Sequence, residues 1–168
     1  GGLALRLPNR QGSEARDPVA GGCISGEKAL SSVTSSDSGR RIWMDGTLRP
    51  WADATVHVLS HSLQRGSLVF DYMSVHDLPE ENGAGLPAGA TVFRMREHIE
   101  RFFHSCELMG LPLEQDASLM REAIRETVRA NPGAKAVKIS AYFSSIEIDV
   151  VPVDTHVTVA IAAYDPTV

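Results

Sequence analysis

Cysteine is almost missing from this 168-residue chain: Cys23 and Cys106 are the only two. Cys23 lies in a Gly-rich stretch, and Cys106 falls on the apolar face of a predicted helix. Neither a disulfide framework nor a cysteine-based metal site is therefore expected, and a reducing cytoplasm is the default setting. Long apolar runs are absent too. No stretch of eighteen apolar residues exists, so no membrane-spanning helix is expected, and residues 1–30 lack the apolar core of a secretory signal. Lysine is scarce, with only Lys28, Lys135 and Lys138. No GxGxxG, P-loop, GxSxG or CxxC pattern occurs. The formal net charge is −5, which disfavours a nucleic-acid partner or an acidic membrane surface. That charge is uneven, because residues 1–41 are net positive and the remainder carries the acidic excess.

The positive end is rich in Gly, Ser, Pro, Arg and Asp and poor in apolar residues, so residues 1–40 are expected to form a disordered leader. Its acids (Glu14, Asp17, Glu27, Asp37) argue against an organellar transit peptide. Apolar residues make up 43% of the whole chain, enough for one core, and order is expected from Arg41 onward. Ile42-Trp43-Met44 and Thr47-Leu48-Arg49 flank Asp45-Gly46, a hairpin turn signal. Ser60 to Arg65 reads as one helical turn stopped by Gly66, and Ser67 to Val75 as a strand with aromatic and aliphatic residues on both faces. His57 and His61 stand four apart. With no HExxH pattern and no third ligand, they read as hydrogen-bonded structural histidines rather than metal ligands, and no metal site is expected. Asp77 to Ala90 reads as a loop.

The segment Thr91 to Leu111 changes period within itself. Thr91-Val92-Phe93 has strand character, and Ile99, Phe102, Phe103, Cys106 and Met109 then recur at helical spacing. Arg94 sits at the junction. A guanidinium beside the unpaired N–H groups of a helix start is a candidate anion site, and a solvated or ion-paired surface arginine is the competing reading. A second helix runs from about Asp116 to Ala130, with Leu119, Met120, Ala123, Ile124, Thr127 and Val128 as its apolar stripe, and Asn131-Pro132-Gly133 ends it. Two strands close the pattern, Ala136–Phe143 and His156–Tyr164, with SSIEIDVVPVD between them as a strand extension or an exposed arm. Strands, two helices, then strands predict an α+β domain: a mostly antiparallel sheet with two helices packed on one face.

Three segments, IWMDGTLRPWADATVHVLSHSLQRGSLVF (42–70), VFRMREHIERFFHSCELMGLPL (92–113) and VRANPGAKAVKISAY (128–142), resemble in order and spacing the N-terminal small domain of the class IV (fold type IV) pyridoxal-phosphate aminotransferases, the branched-chain type above all. The resemblance implies that residues 41–168 are that small domain, cut before the domain that carries the catalytic lysine. It also implies a role for Arg94. Phe93-Arg94-Met95-Arg96-Glu97-His98 matches the family's FR-x-x-EH segment, whose arginine binds the phosphate of pyridoxal 5'-phosphate. Phe70 matches the aromatic of V-F-E-G, which lines the substrate pocket, so Phe70, Asp71 and Tyr72 become pocket candidates. The pattern departs from the family at four places. Arg65-Gly66 stands for Tyr-Gly, Asp71-Tyr72 for Glu-Gly, Ser74 for an arginine, and Val137-Lys138-Ile139-Ser140 for YIRP. Lys138 and Arg65 are the two candidates for a replacement charge.

The family's lysine is followed closely by Asn-Tyr, and none of the three lysines here has that context. No catalytic residue is expected in this chain. The expected function is therefore that of an N-terminal fragment of a transaminase, inactive alone, whose complete form moves an amino group between an amino acid and a 2-oxo acid as a homodimer. A pyridoxal-phosphate lyase of the aminodeoxychorismate lyase type and a non-catalytic dimerisation module are the alternatives.

Overall fold

A computed structural model describes residues 39–77 and 89–166. The leader up to residue 38, most of the expected loop after Asp77, Cys23 and Lys28 lie outside the described residues. Six strands form one sheet: β1 (Arg41–Met44), β2 (Thr47–Pro50), β3 (Leu68–Asp77), β4 (Ala90–Val92), β5 (Ala136–Phe143) and β6 (Val157–Tyr164). Their spatial order is β2-β1-β6-β5-β3-β4, and every named pair is antiparallel. Among the described residues three α-helices, α1 (His61–Arg65), α2 (Met95–Leu108) and α3 (Ala117–Ala130), and a short 3-10 turn at Trp51–Asp53 accompany the sheet.

The β1–β2 hairpin turns at Asp45-Gly46, where both residues have positive φ (45° and 92°), the backbone that a tight primed turn demands. Asp45 also clasps β6. Its N–H donates to Val159 O at 3.1 Å, and its Oδ1 accepts from Val159 N–H at 2.8 Å. The hairpin is thereby locked onto the strand farthest from it in sequence.

Each strand's alternation assigns a face. On β3, Val69, Asp71, Met73 and Val75 are buried, while Leu68, Phe70, Tyr72 and His76 are exposed. On β5, Val137, Ile139, Ala141 and Phe143 face the same side as the buried β3 set, and Lys138 and Ser140 are half-buried on the other. Helices α2 and α3 cover the first side. Ile99, Phe102 and Cys106 from α2 and Met120, Ala123, Ile124 and Val128 from α3 join the sheet residues in one core. Phe102 is fully buried, and its truncation to Ala costs about 3–5 kcal/mol. Leu119, which helical spacing placed in the α3 stripe, is instead half-exposed, because the buried stripe is centred on Met120, Ala123, Ile124, Thr127 and Val128 and Leu119 falls at its edge.

Asp116 caps α3 by accepting from Ser118 and Leu119 N–H. At the other end Asn131 replaces a backbone partner for β1. Its Oδ1 accepts from Arg41 N–H at 2.9 Å, and its amide donates to Arg41 O and Thr127 O. One buried side chain therefore joins the end of α3 to the sheet. The segment between β5 and β6 is an exposed arm rather than a strand extension. The Glu147 carboxylate accepts from Val153 and Asp154 N–H, which folds the arm back on itself and turns Ile148, Val150, Val151 and Val153 to solvent.

Candidate functional site

Arg94 follows β4 by two residues and caps α2. Phe93 N–H donates to Ser74 O at 2.9 Å, so the chain leaves the sheet edge beside the middle of β3. Arg94 itself adopts a left-handed backbone (φ 48°, ψ 38°), a conformation unfavourable for a side chain of this size and found preferentially where function requires it. It provides no side-chain cap to the helix; the Glu97 N–H is taken by its own carboxylate, which leaves the N–H groups of Met95 and Arg96 at the positive end of the dipole. The Arg94 guanidinium is well exposed and lies 3.5 Å from Glu97 Oε1. The hydrogen bond from its own backbone N–H, followed by the charges of Arg94 and Arg96, holds the Glu97 carboxyl below the usual range. Arg96 points to Glu97 and Glu100 along the helix surface, whereas Arg94 stands at the N-cap position itself. An exposed forked donor at an uncapped helix start fits a phosphate dianion, and exchanging an exposed carboxylate for that dianion costs little.

The structure divides the three pocket candidates. Phe70 and Tyr72 lie on the open side of the sheet, 57% and 43% exposed, whereas Asp71 faces the helices at 4%. Asp71 is a structural lock. Its Oδ2 accepts from Arg101 Nε at 2.8 Å. Its Oδ1 accepts from an Arg101 terminal nitrogen at 2.7 Å and from Tyr72 N–H at 2.7 Å, and contacts His98 Nδ1 at 2.9 Å. Burial pushes the Asp71 carboxyl up, but the bonds from Arg101, His98 and Tyr72 outweigh it and leave the group below the ordinary aspartate value. The lock pins α2 to β3 one turn after Arg94, since His98 N–H also donates to Arg94 O. Sequence reading missed His98 and Arg101. The available signal was their spacing of three on a helix, opposite an acid at a helix-facing strand position.

Ile139, aligned above with the family's arginine, is fully buried beneath the helices, so that position faces away from the open side. Its open-side neighbours are Lys138, paired in register with Tyr72, and Ser140, paired with Phe70. Arg65 lies elsewhere, donating to Ile148 O on the arm at 3.3 Å. An apolar groove of about 290 Å³ between Val56, Leu63, Leu68 and Tyr142 opens near the start of β3, roughly 20 Å along the strand from Ser74.

The histidine pair is not a ligand set. His61 is buried, with Nδ1 on Ser67 Oγ at 2.8 Å and Nε2 donating to Val150 O at 2.9 Å, so both ring nitrogens are taken. His57 Nδ1 accepts from Leu59 N–H. Among the described residues no group of three or more His, Cys, Asp and Glu side chains could hold a metal ion, and no helix is long and apolar enough to cross a membrane.

No family model matches the chain. Among curated proteins it is 34% identical over 99 residues to the branched-chain-amino-acid aminotransferase of Pseudomonas aeruginosa, covering 59% of this chain and 30% of that protein. It is 36% identical over 90 residues to the Escherichia coli K12 enzyme of the same name, covering 54% and 26%. Among solved structures, the branched-chain aminotransferase of Thermoproteus uzoniensis with norvaline superposes with a TM-score of 0.64 at 35% identity, over 75% of this chain and 40% of that one. The T.th. branched-chain aminotransferase with pyridoxamine 5'-phosphate superposes at 0.66 and 28% identity, over 76% and 40%. The chain thus spans less than half the length of these relatives. In sequence and in fold it is similar to one part of the fold type IV branched-chain aminotransferases, its antiparallel six-stranded sheet and two main helices matching their small domain.

Proposed function

We propose that this chain forms the small-domain part of a pyridoxal-phosphate-dependent aminotransferase, with Arg94 as the anchor for the cofactor phosphate. The observation that carries the reading is Arg94 itself: an exposed guanidinium in a left-handed cap at an uncapped helix start, on a chain similar to enzymes one of which is solved with pyridoxamine 5'-phosphate. When bound, such a cofactor supplies an electron sink for moving an amino group between an amino acid and a 2-oxo acid. This chain's residues contribute binding and orientation. Arg94 and the first N–H groups of α2 hold the phosphate. The Asp71–Arg101–His98 lock keeps that helix start in place. Phe70 and Tyr72 offer ring surfaces on the open side of the sheet for the substrate's apolar part. The three lysines lack the Asn-Tyr context of the family's cofactor-bearing lysine, so catalysis is assigned to a domain outside this sequence.

A homodimer in the complete protein, in the cytoplasm, belongs to the same proposal. The arm between β5 and β6 supports the dimer, with Ile148 and Val153 at 92% and 88% exposure, more apolar surface than a lone domain sheds comfortably. The buried free thiol of Cys106 is compatible with a reducing compartment.

The test uses ligands that cannot react with surface lysines. Pyridoxamine 5'-phosphate and unphosphorylated pyridoxamine are titrated calorimetrically into the 168-residue chain and into Arg94→Gln. The phosphorylated ligand should bind at least about tenfold more tightly than pyridoxamine, and Arg94→Gln should erase that difference. Equal binding of the two ligands, or an unchanged Arg94→Gln titration, would remove the phosphate role.

A further inference from the structure

Several cations of the described surface have carboxylate partners. Lys135 pairs with Asp77, Arg101 with Asp71, and Arg129 with Glu122. Lys138 differs. It projects from β5 onto the open side of the sheet, where its Nζ stands 4.3 Å from the centroid of the Phe70 ring. No ion pair or hydrogen bond of its ammonium occurs among the described residues. Its surroundings offer no anion: Tyr72 and Ala162 are its register partners on either side, and Ala136 and Ser140 flank it along the strand. A half-buried ammonium is thus held on an apolar, aromatic floor with only a ring face for company. A ring face compensates an ammonium weakly, by about 0.5–2 kcal/mol, and accepts no strong hydrogen bond from its N–H donors.

We propose that Lys138 is the binding cation for a small monocarboxylate whose apolar chain lies across Phe70 and Tyr72. The carboxylate satisfies the ammonium donors, with the Ser140 hydroxyl one position along the same face. The apolar chain covers rings that are otherwise half-exposed. The residue types favour this occupant, because the neighbours of Lys138 in register and along the strand supply one positive centre, no acid and a mostly apolar surround. Strand spacing places the β5 backbone at Lys138 on the order of 10 Å from the sheet edge where Arg94 begins, so carboxylate and phosphate occupy separate positions. The inference deepens the proposed function and rests on it for the identity of the natural ligand, since amino acids and 2-oxo acids share this carboxylate. The site itself stands on its own geometry.

The probe is 3-phenylpropanoate, with its neutral analogue 3-phenylpropanamide as control, titrated without cofactor into the isotope-labelled 168-residue chain and followed by NMR. The acid should shift resonances of Lys138, Phe70 and Tyr72, and the amide should bind roughly tenfold more weakly or worse. Lys138→Met, which keeps the apolar stem, should lose the preference for the acid, and Lys138→Arg should retain it. Arg129→Gln, on the helix layer, should leave acid binding unchanged. No binding of the acid, equal binding of acid and amide, a Lys138→Met variant that still prefers the acid, or an equal loss in Arg129→Gln would each overturn the proposal. The wild-type contrast between acid and amide needs no variant, so a misfolded substitution cannot obscure the answer. Failure of pyridoxamine 5'-phosphate binding with carboxylate binding intact would strike the phosphate role alone.

Discussion

Asp71 and Arg101 form a two-pronged ion pair across the sheet–helix boundary, Nε to Oδ2 at 2.8 Å and a terminal nitrogen to Oδ1 at 2.7 Å. Asp71 is almost wholly buried while Arg101 reaches it from the exposed side of α2. Asp71→Ala should destabilise the chain by about 2 kcal/mol, the value of a charge-assisted hydrogen-bond set partly screened by solvent at Arg101. Arg101→Ala should also destabilise, because it strips the main partner from a buried carboxylate. Urea unfolding of the two single variants and the double variant checks this, and the double variant should cost clearly less than the sum of the singles.

The same group sets a direction at acid pH. Asp71 has a depressed carboxyl in the folded state, below the ordinary 3.8. Its stabilising contribution is complete above the unfolded value and is lost as pH falls from about that value through the folded one. The stability gap between wild type and Asp71→Asn, measured by chemical unfolding, should therefore be constant from pH 7 to about 5 and shrink below about pH 4. A gap that widened on acidification would contradict the assignment.

Arg94 sets stability against binding. Its φ of 48° costs a non-glycine residue about 1 kcal/mol or more. Arg94→Gly should be more stable than Arg94→Ala by about 1 kcal/mol, net of glycine's greater unfolded-state freedom, and both should lose phosphate-dependent binding. Thermal unfolding of the pair, read beside the pyridoxamine 5'-phosphate titration, separates backbone strain from side-chain charge.

Cys106 is predicted to be inert. It is 1% exposed, and burial pushes its thiol up to about 11, so almost no thiolate exists at neutral pH. In a Cys23→Ser background, alkylation by iodoacetamide should be negligible in buffer and should become rapid only above the urea midpoint. Ready labelling of the folded chain would place the side chain outside the core.

The legible parts of the fold were those where local chemistry and tertiary packing agree. Asp45-Gly46 declared its turn by residue type, Asn131-Pro132-Gly133 stopped α3, and Ile99, Phe102 and Cys106 marked the buried face of α2 by period. β3 was harder. Its sequence, LVFDYMSVHD, offers apolar residues on both faces, and hydropathy alone favours burying Phe70 over Asp71. The opposite holds, because α2 brings Arg101 and His98 to the carboxylate, and that compensation comes from a segment some 30 residues away. Ile139 shows the same limit: period-2 alternation was visible on β5, but which side the helices cover was not. Arg94 was found as a junction residue, while its left-handed backbone is a consequence of the tight exit from β4 that composition does not encode.

The sheet order has a consequence for how the chain is made. β6 lies between β1 and β5, so the first of the six strands is joined to the remainder only through the sixth, with Ile42 opposite Ala162. During synthesis β3, β5 and the two helices can associate early, yet the β1–β2 hairpin has no strand of this sheet to pair with until β6 has emerged, and before then only the Asn131 side chain at the end of α3 can hold β1. Closing so long a loop is entropically slow, and until then the edge of β5 that β6 will take is an open template for other strands. The nascent protein is therefore most exposed to mispairing just before β6 arrives, and a chaperone that shields the β5 edge would act at that step.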